Sequence, residues 1–181
     1  NDMLQKCEPI SIINAITNIA RTSITLNPVM RLAYLVPRNG KCVLDFSYMG
    51  MISLLKSNGN IKTINAYIVY EDEVFEHDIV NNIIHHTPRY VTTEKEHNSR
   101  KIIGAYSVAK LPSNDVDYCF MPIWEIDKVK NTSKGVNSKY SPWTTWKDEM
   151  IKKTVIKRHF KMLISINNAV SYTHLRAHET T

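Results

Sequence analysis

The chain has too few cysteines, and too widely spaced, for a disulfide framework. Cys7, Cys42 and Cys119 are odd in number, and no C-x-x-C pair suggests a zinc site or a redox motif. The expectation is three reduced, partly buried thiols. Also missing is any apolar run of the ~18 residues needed to cross a bilayer. The first residues, Asn1 to Cys7, lack the charged and apolar regions of a secretion signal. The reading that follows is a cytoplasmic protein that does not use the membrane. With 181 residues, 43% hydrophobic and 22% charged, the chain can build one well-buried core, so disorder is not the default.

Acidic residues are scarce in one particular place. From Asn1 to Tyr90, 8 Lys and Arg balance 8 Asp and Glu, whereas from Val91 to Ala169 the counts are 14 and 8. That second stretch supplies the whole formal net charge of +6. Between Lys128 and Lys161, ten Lys or Arg face only Asp148 and Glu149. Such concentration is the electrostatic footprint expected for nucleic acid or another anionic surface.

The footprint centres on Ser141 to Leu163. Pro142 and Trp143 open the segment, Trp146 follows, and a helix then carries Lys147, Lys152, Lys153, Lys157, Arg158 and Lys161. At about 100° per residue, Ile151, Val155, His159, Met162 and Leu163 form one apolar face. Lys147, Lys153, Lys157, Arg158 and Lys161 gather on another. Lysines spaced i, i+4 and i+8 repel one another, and phosphate would relieve that repulsion. The competing reading is a solvated helix face. Lys152 falls on the apolar side, where it either snorkels past the core edge or reaches into a groove.

Local patterns predict the remaining elements. A helix is expected over Pro9 to about Thr22, a strand over Ala33–Pro37, an Asn39-Gly40 turn, and a return strand from Cys42 to Tyr48. A short helix over Gly50–Ser57 ends at Asn58-Gly59. Ile61 to Tyr70 reads as a strand, and the acidic turn Glu71-Asp72-Glu73 leads it toward a hairpin partner at Val74–Glu76. Ile83–Pro88 reads as irregular, and Val91–Lys101 as a mobile polar loop holding Arg100 and Lys101. Ile102–Leu111 reads as a strand with Ile103, Ala105, Ala109 and Leu111 on one side and Tyr106, Val108 and Lys110 on the other. It turns at Asn114-Asp115 to a partner around Tyr118–Met121, and Pro122 opens a helix through Lys130. The class is α+β: an antiparallel, hairpin-rich sheet with helices packed against it, ending in a basic amphipathic helix.

Both ends have the look of interruptions. The expected domain is a single one over residues 1–169, truncated at its start. Residues 170–181 read as a non-native tail resembling translated sequencing-adapter sequence. His174 and His178 lie within that tail, so their i, i+4 spacing is not taken as a metal site.

Taken in order, many stretches resemble the RecT family of phage and prophage single-strand annealing recombinases. They include Leu26-Asn27-Pro28, Ala33–Pro37, Tyr48-Met49-Gly50, Ser57–Ile61, Ala66–Tyr70, His86-Thr87-Pro88, Ala105–Leu111, Ser141-Pro142-Trp143 and Lys153-Thr154. The collinear similarity runs from about Leu26 to Leu163. The resemblance implies ATP-independent binding of single-stranded DNA, homo-oligomeric rings or filaments, and pairing of complementary strands into an annealed duplex during phage-type recombination. It also implies a phage exonuclease and a host single-strand binding protein as partners, in the bacterial cytoplasm, without a cofactor.

An annealer must offset phosphate repulsion while leaving base edges free, so backbone contacts and aromatic stacking suit it. The candidate DNA contacts are therefore Lys147, Lys152, Lys153, Lys157, Arg158 and Lys161, with Tyr106 and Lys110 as a sheet wall. Trp143 is either a stacking platform or an anchor for the helix start. Glu71, Asp72, Glu73, Glu76 and Asp78 raise the alternative of a metal-dependent nuclease. Carboxylates crowded on one turn fit a charged hairpin tip better. A third reading is a single-strand binding module that protects strands without pairing them.

Overall fold

The structure, a computed structural model, describes residues 2–133, 136 and 138–167. The proposed tail, with His174 and His178, lies outside them. The chain divides into two compact units, Asn1–Gly59 and Asn60–Thr181.

In the first unit, α1 (Asp2–Gln5) and α2 (Pro9–Thr22) precede the hairpin β1 (Ala33–Arg38) and β2 (Lys41–Phe46). Asn39 and Gly40 both take positive φ at its turn, the conformation that an Asn-Gly pair adopts at little cost. Cys7, Ala15 and Cys42 pack together, and Ser11 Oγ accepts a hydrogen bond from the Cys42 backbone N–H at 2.8 Å. The predicted return strand stops two residues early. Ser47 caps α3 (Tyr48–Ser57) by accepting from the Gly50 N–H at 3.0 Å, so Tyr48 belongs to the helix.

The second unit is built on the sheet β3 (Thr63–Tyr70), β6 (Ile102–Lys110) and β7 (Val116–Pro122), antiparallel in the order β3-β6-β7. The helices α5 (Ile123–Asn131), α6 (Pro142–Thr145) and α7 (Lys147–Asn167) complete it at the C-terminal side. On one face of the sheet, Ile68, Ala105 and Met121 pack with Ile126, Trp143, Ile151 and Val155 of those helices. On the other face, Val69, Tyr106, Tyr118 and Phe120 pack with Phe75 and Ile84. These last two come from a second hairpin, β4 (Val74–Asp78) with β5 (Ile83–Thr87). The sheet thus has helices on one side and a β-ribbon on the other.

Three expectations change here. The strand after the acidic turn pairs with Ile83–Thr87, which is a strand and not irregular, because Ile84 and His86 both point into the core. The polar loop contains the helix α4 (Glu94–Ser99), capped by Thr93 and tied back by ion pairs of Arg89 with Glu96 and Asp72. A register shift at Val69/Tyr70 places Ile102 in the helix-side core and Ile103 in the ribbon-side one. Ile103 therefore joins Tyr106 and Val108, on the opposite face from Ala105.

Candidate nucleic-acid interface

Ser141 opens the C-terminal segment by accepting from the Trp143 N–H, and α6 breaks at Trp146 before α7 begins. Trp143 is buried, and its indole Nε1 donates to Ser133 Oγ at 3.2 Å. It ties the end of α5 to the start of α7 and offers no ring face to solvent.

Helix α7 buries two apolar rows at four-residue spacing, Ile151-Val155-His159-Leu163 and Ile156-Phe160-Ile164. Met162, expected in the core, is exposed because it shares a row with exposed Arg158. His159 is fully buried. Its Nδ1 accepts from Ser107 Oγ at 2.6 Å, and its Nε2 donates to Asp117 Oδ2 at 3.1 Å. Burial pushes its pKa below the ordinary histidine value, against the opposing pull of Asp117.

The cations line the remaining arc, with Lys153 bordering the Phe160–Ile164 row. Lys147, Arg158 and Lys161 are exposed and Lys153 and Lys157 half-buried. Lys147 to Lys161 spans about 21 Å at 1.5 Å per residue. Arg158 Nη2 lies 3.3 Å from Glu125 Oε2 of α5. Lys152 is half-buried and pairs with Glu149 at 3.2 Å. The contacts Arg158–Glu125 at one end and Trp143–Ser133 at the other set α5 beside α7 in the opposite sense.

Tyr106 and Lys110 do not join this row. Ser107 faces His159, so alternation along β6 turns Tyr106, Val108 and Lys110 to the ribbon side. Tyr106 is buried there, stacked on Tyr67 with ring centroids 5.4 Å apart. Its pKa is pushed up to about 12 by burial and by the neighbouring tyrosines. Lys110 is exposed at the strand end.

The acidic turn is matched within its own unit. Arg100 makes charged hydrogen bonds to Asp72 at 2.8 Å and Glu73 at 2.7 Å, Arg89 pairs with Asp72 at 2.8 Å, and Lys101 with Glu71 at 2.7 Å. Hydrogen bonds from Arg100 and Arg89 hold Asp72 down to about 2. Burial pushes the Glu73 carboxyl up. The Arg100 guanidinium, the backbone N–H groups of Tyr70 and Arg89, and His86 together outweigh that and lower it. Glu73 also links to the core, since His86 Nε2 donates to it at 3.0 Å while Nδ1 accepts from the Tyr106 hydroxyl at 3.2 Å. Arg100, placed by sequence in a mobile polar loop, is instead a structural cation whose side chain is withdrawn from solvent.

Sequence reasoning passed over Trp124 and Lys128, an exposed pair on α5 with Lys128 Nζ 4.6 Å from the indole centroid. Their i, i+4 spacing, with Trp124 two residues after Pro122, was the available signal.

Fold and surface together define an α+β protein whose cation-bearing helix α7 packs across the sheet of its second unit. The chain belongs to the RecT family, whose model matches residues 1–179. It is 30% identical to Protein RecT of Escherichia coli (strain K12) over 180 residues, covering 93% of this chain and 64% of that protein. It is 26% identical over 155 residues to the uncharacterized protein YqaK of Bacillus subtilis (strain 168), covering 86% of this chain and 51% of that one. The chain spans between half and two thirds of the length of these relatives. No helix among the described residues is long and apolar enough to cross a membrane.

Proposed function

We propose that this protein binds single-stranded DNA and anneals complementary strands without ATP, in phage-type homologous recombination. The observation that carries the reading is the arc of Lys147, Lys153, Lys157, Arg158 and Lys161 on α7, in a segment with ten cations and two carboxylates. Such a row offers sequence-independent phosphate contacts and leaves base edges unread, as pairing requires. Family membership favours the same reading. The protein works as a homo-oligomer, ring or filament, in the bacterial cytoplasm, beside an exonuclease that exposes the strand and a host single-strand binding protein.

Annealing breaks no covalent bond, so the protein acts as a scaffold and not as an enzyme. The nuclease alternative is disfavoured by the acidic turn, whose Glu71, Asp72 and Glu73 are engaged by Lys101, Arg89 and Arg100. Pairing of two labelled complementary oligonucleotides, without nucleotide or metal, tests the proposal. Acceleration over bare DNA supports it. Protection of a single strand without faster pairing would reassign the protein as a binding module, and shortened DNA in magnesium would make it a nuclease.

A further inference from the structure

We propose that Trp124, with Lys128 and Arg158, forms a base-stacking site for single-stranded DNA beside the cation row of α7. This rests on the DNA-binding reading above and adds to it a contact with the bases. Trp124 stands on the first turn of α5, 55% exposed, while Ile126 of the same helix is buried in the core. The ring is thus presented outward by a helix whose other side is fixed. Lys128 Nζ sits over the indole at 4.6 Å, and no other aromatic ring among the described residues stacks on it.

The next residue, Glu125, holds the Arg158 guanidinium at 3.3 Å, which sets the edge of the α7 cations one residue from the indole. Glu125 and Asp127 oppose the local charge, and Lys128, Lys157, Arg158 and Lys161 outnumber them. A flat aromatic bordered by cations fits a chain that alternates flat bases with phosphates. Stacking adds affinity without sequence preference, because every base has a π-face. An acidic peptide would satisfy the cations but would give the indole no planar partner.

The test uses the full chain carrying Trp146→Phe, so that Trp124 is the exposed indole among the described tryptophans. Its probes are oligo-dT, an abasic oligonucleotide of equal length, and an acidic peptide of equal charge. Oligo-dT should quench the emission, the abasic strand should quench it far less, and Trp124→Ala should lose about 5- to 100-fold in affinity for oligo-dT. Binding of the abasic strand should be unchanged, and Trp124→Phe should retain most of the oligo-dT affinity. Equal oligo-dT affinity of Trp124→Ala and its parent would overturn the stacking site while leaving phosphate binding intact. Quenching by the acidic peptide as strong as by oligo-dT would reassign the surface to a protein partner. Failure of the parent to bind either nucleic acid would overturn both this site and the DNA-binding reading.

Discussion

The guanidinium of Arg100 lies over the Tyr70 ring, 3.8 Å from its centroid, with Nη2 2.7 Å from Glu73 Oε1. The Arg100 and Glu73 side chains are 6% and 3% exposed, so this pair holds the acidic turn to the start of β6 away from water. Deleting one partner strands the other charge, which costs about 3–5 kcal/mol when a buried pair is broken. Arg100→Ala should lose stability of that order in urea denaturation. Arg100→Lys should recover only part of it, because an ammonium lacks the planar fork that bridges Asp72 and Glu73.

His159 makes stability depend on pH in a known direction. Its folded-state pKa is lowered by burial, so between that value and the ordinary one near 6.5 the unfolded chain binds more protons. Its contribution is fully present above about 6.5 and fades as pH falls toward the folded value. His159→Gln, which keeps a polar side chain near Ser107 and Asp117, should flatten the change in melting temperature between pH 7.5 and 5.5. An unchanged difference would show that other groups set the profile.

Gly50 marks a close approach inside the first unit. A Cβ there would sit 2.0 Å from the Leu32 carbonyl oxygen and 3.3 Å from Ile24 Cδ1. Backbone must move to admit a methyl group, so Gly50→Ala should destabilise by at least the 1–3 kcal/mol of ordinary overpacking. Limited proteolysis should then cleave within Asn1–Gly59 well before the wild type is cut there.

Salt dependence separates phosphate contacts from the rest. Each contact to a single strand adds about 0.7 to the slope of log affinity against log salt. Lys157→Gln with Lys161→Gln should therefore lower the slope by about 1.4. Lys161 is exposed, Lys157 half-buried, and neither belongs to the buried rows of α7, so the melting temperature should stay close to that of the wild type.

Much of this architecture follows from local pattern. The α2 helix, the Asn39-Gly40 hairpin, the β6–β7 pairing and the α7 helix each carry their own periodicity or turn chemistry, although in α2 the buried residues are Ser11 and Ala15 while Ile10, Ile13 and Ile16 stay exposed. The β4–β5 ribbon was half concealed because its inward residue His86 is polar, satisfied by Glu73 and Tyr106 from elsewhere in the chain. The α4 helix has no apolar face at all and is held by Arg89 and by the His97–Asp148 contact at 2.8 Å.

The candidate site divides in the same way. The cations of α7 share a helix, so their proximity was readable from spacing. Whether Tyr106 and Lys110 shared their side of the molecule depended on which sheet face meets α7, and His159 with Ser107 settles that against them. Trp143 was readable as an aromatic, but its burial depends on Ser133 and on the packing of α5. Trp124 carries only its i, i+4 spacing to Lys128 in the sequence, and its place beside the α7 cations depends on Glu125 reaching Arg158.

The most direct measurement is the rate at which two complementary oligonucleotides pair in the presence of the protein without nucleotide, comparing wild type with Lys147→Glu plus Lys157→Glu. The account predicts clear acceleration by the wild type, lost in the double variant while its melting temperature is retained. Equal acceleration by a folded double variant would contradict the claim that the cation row of α7 carries the DNA.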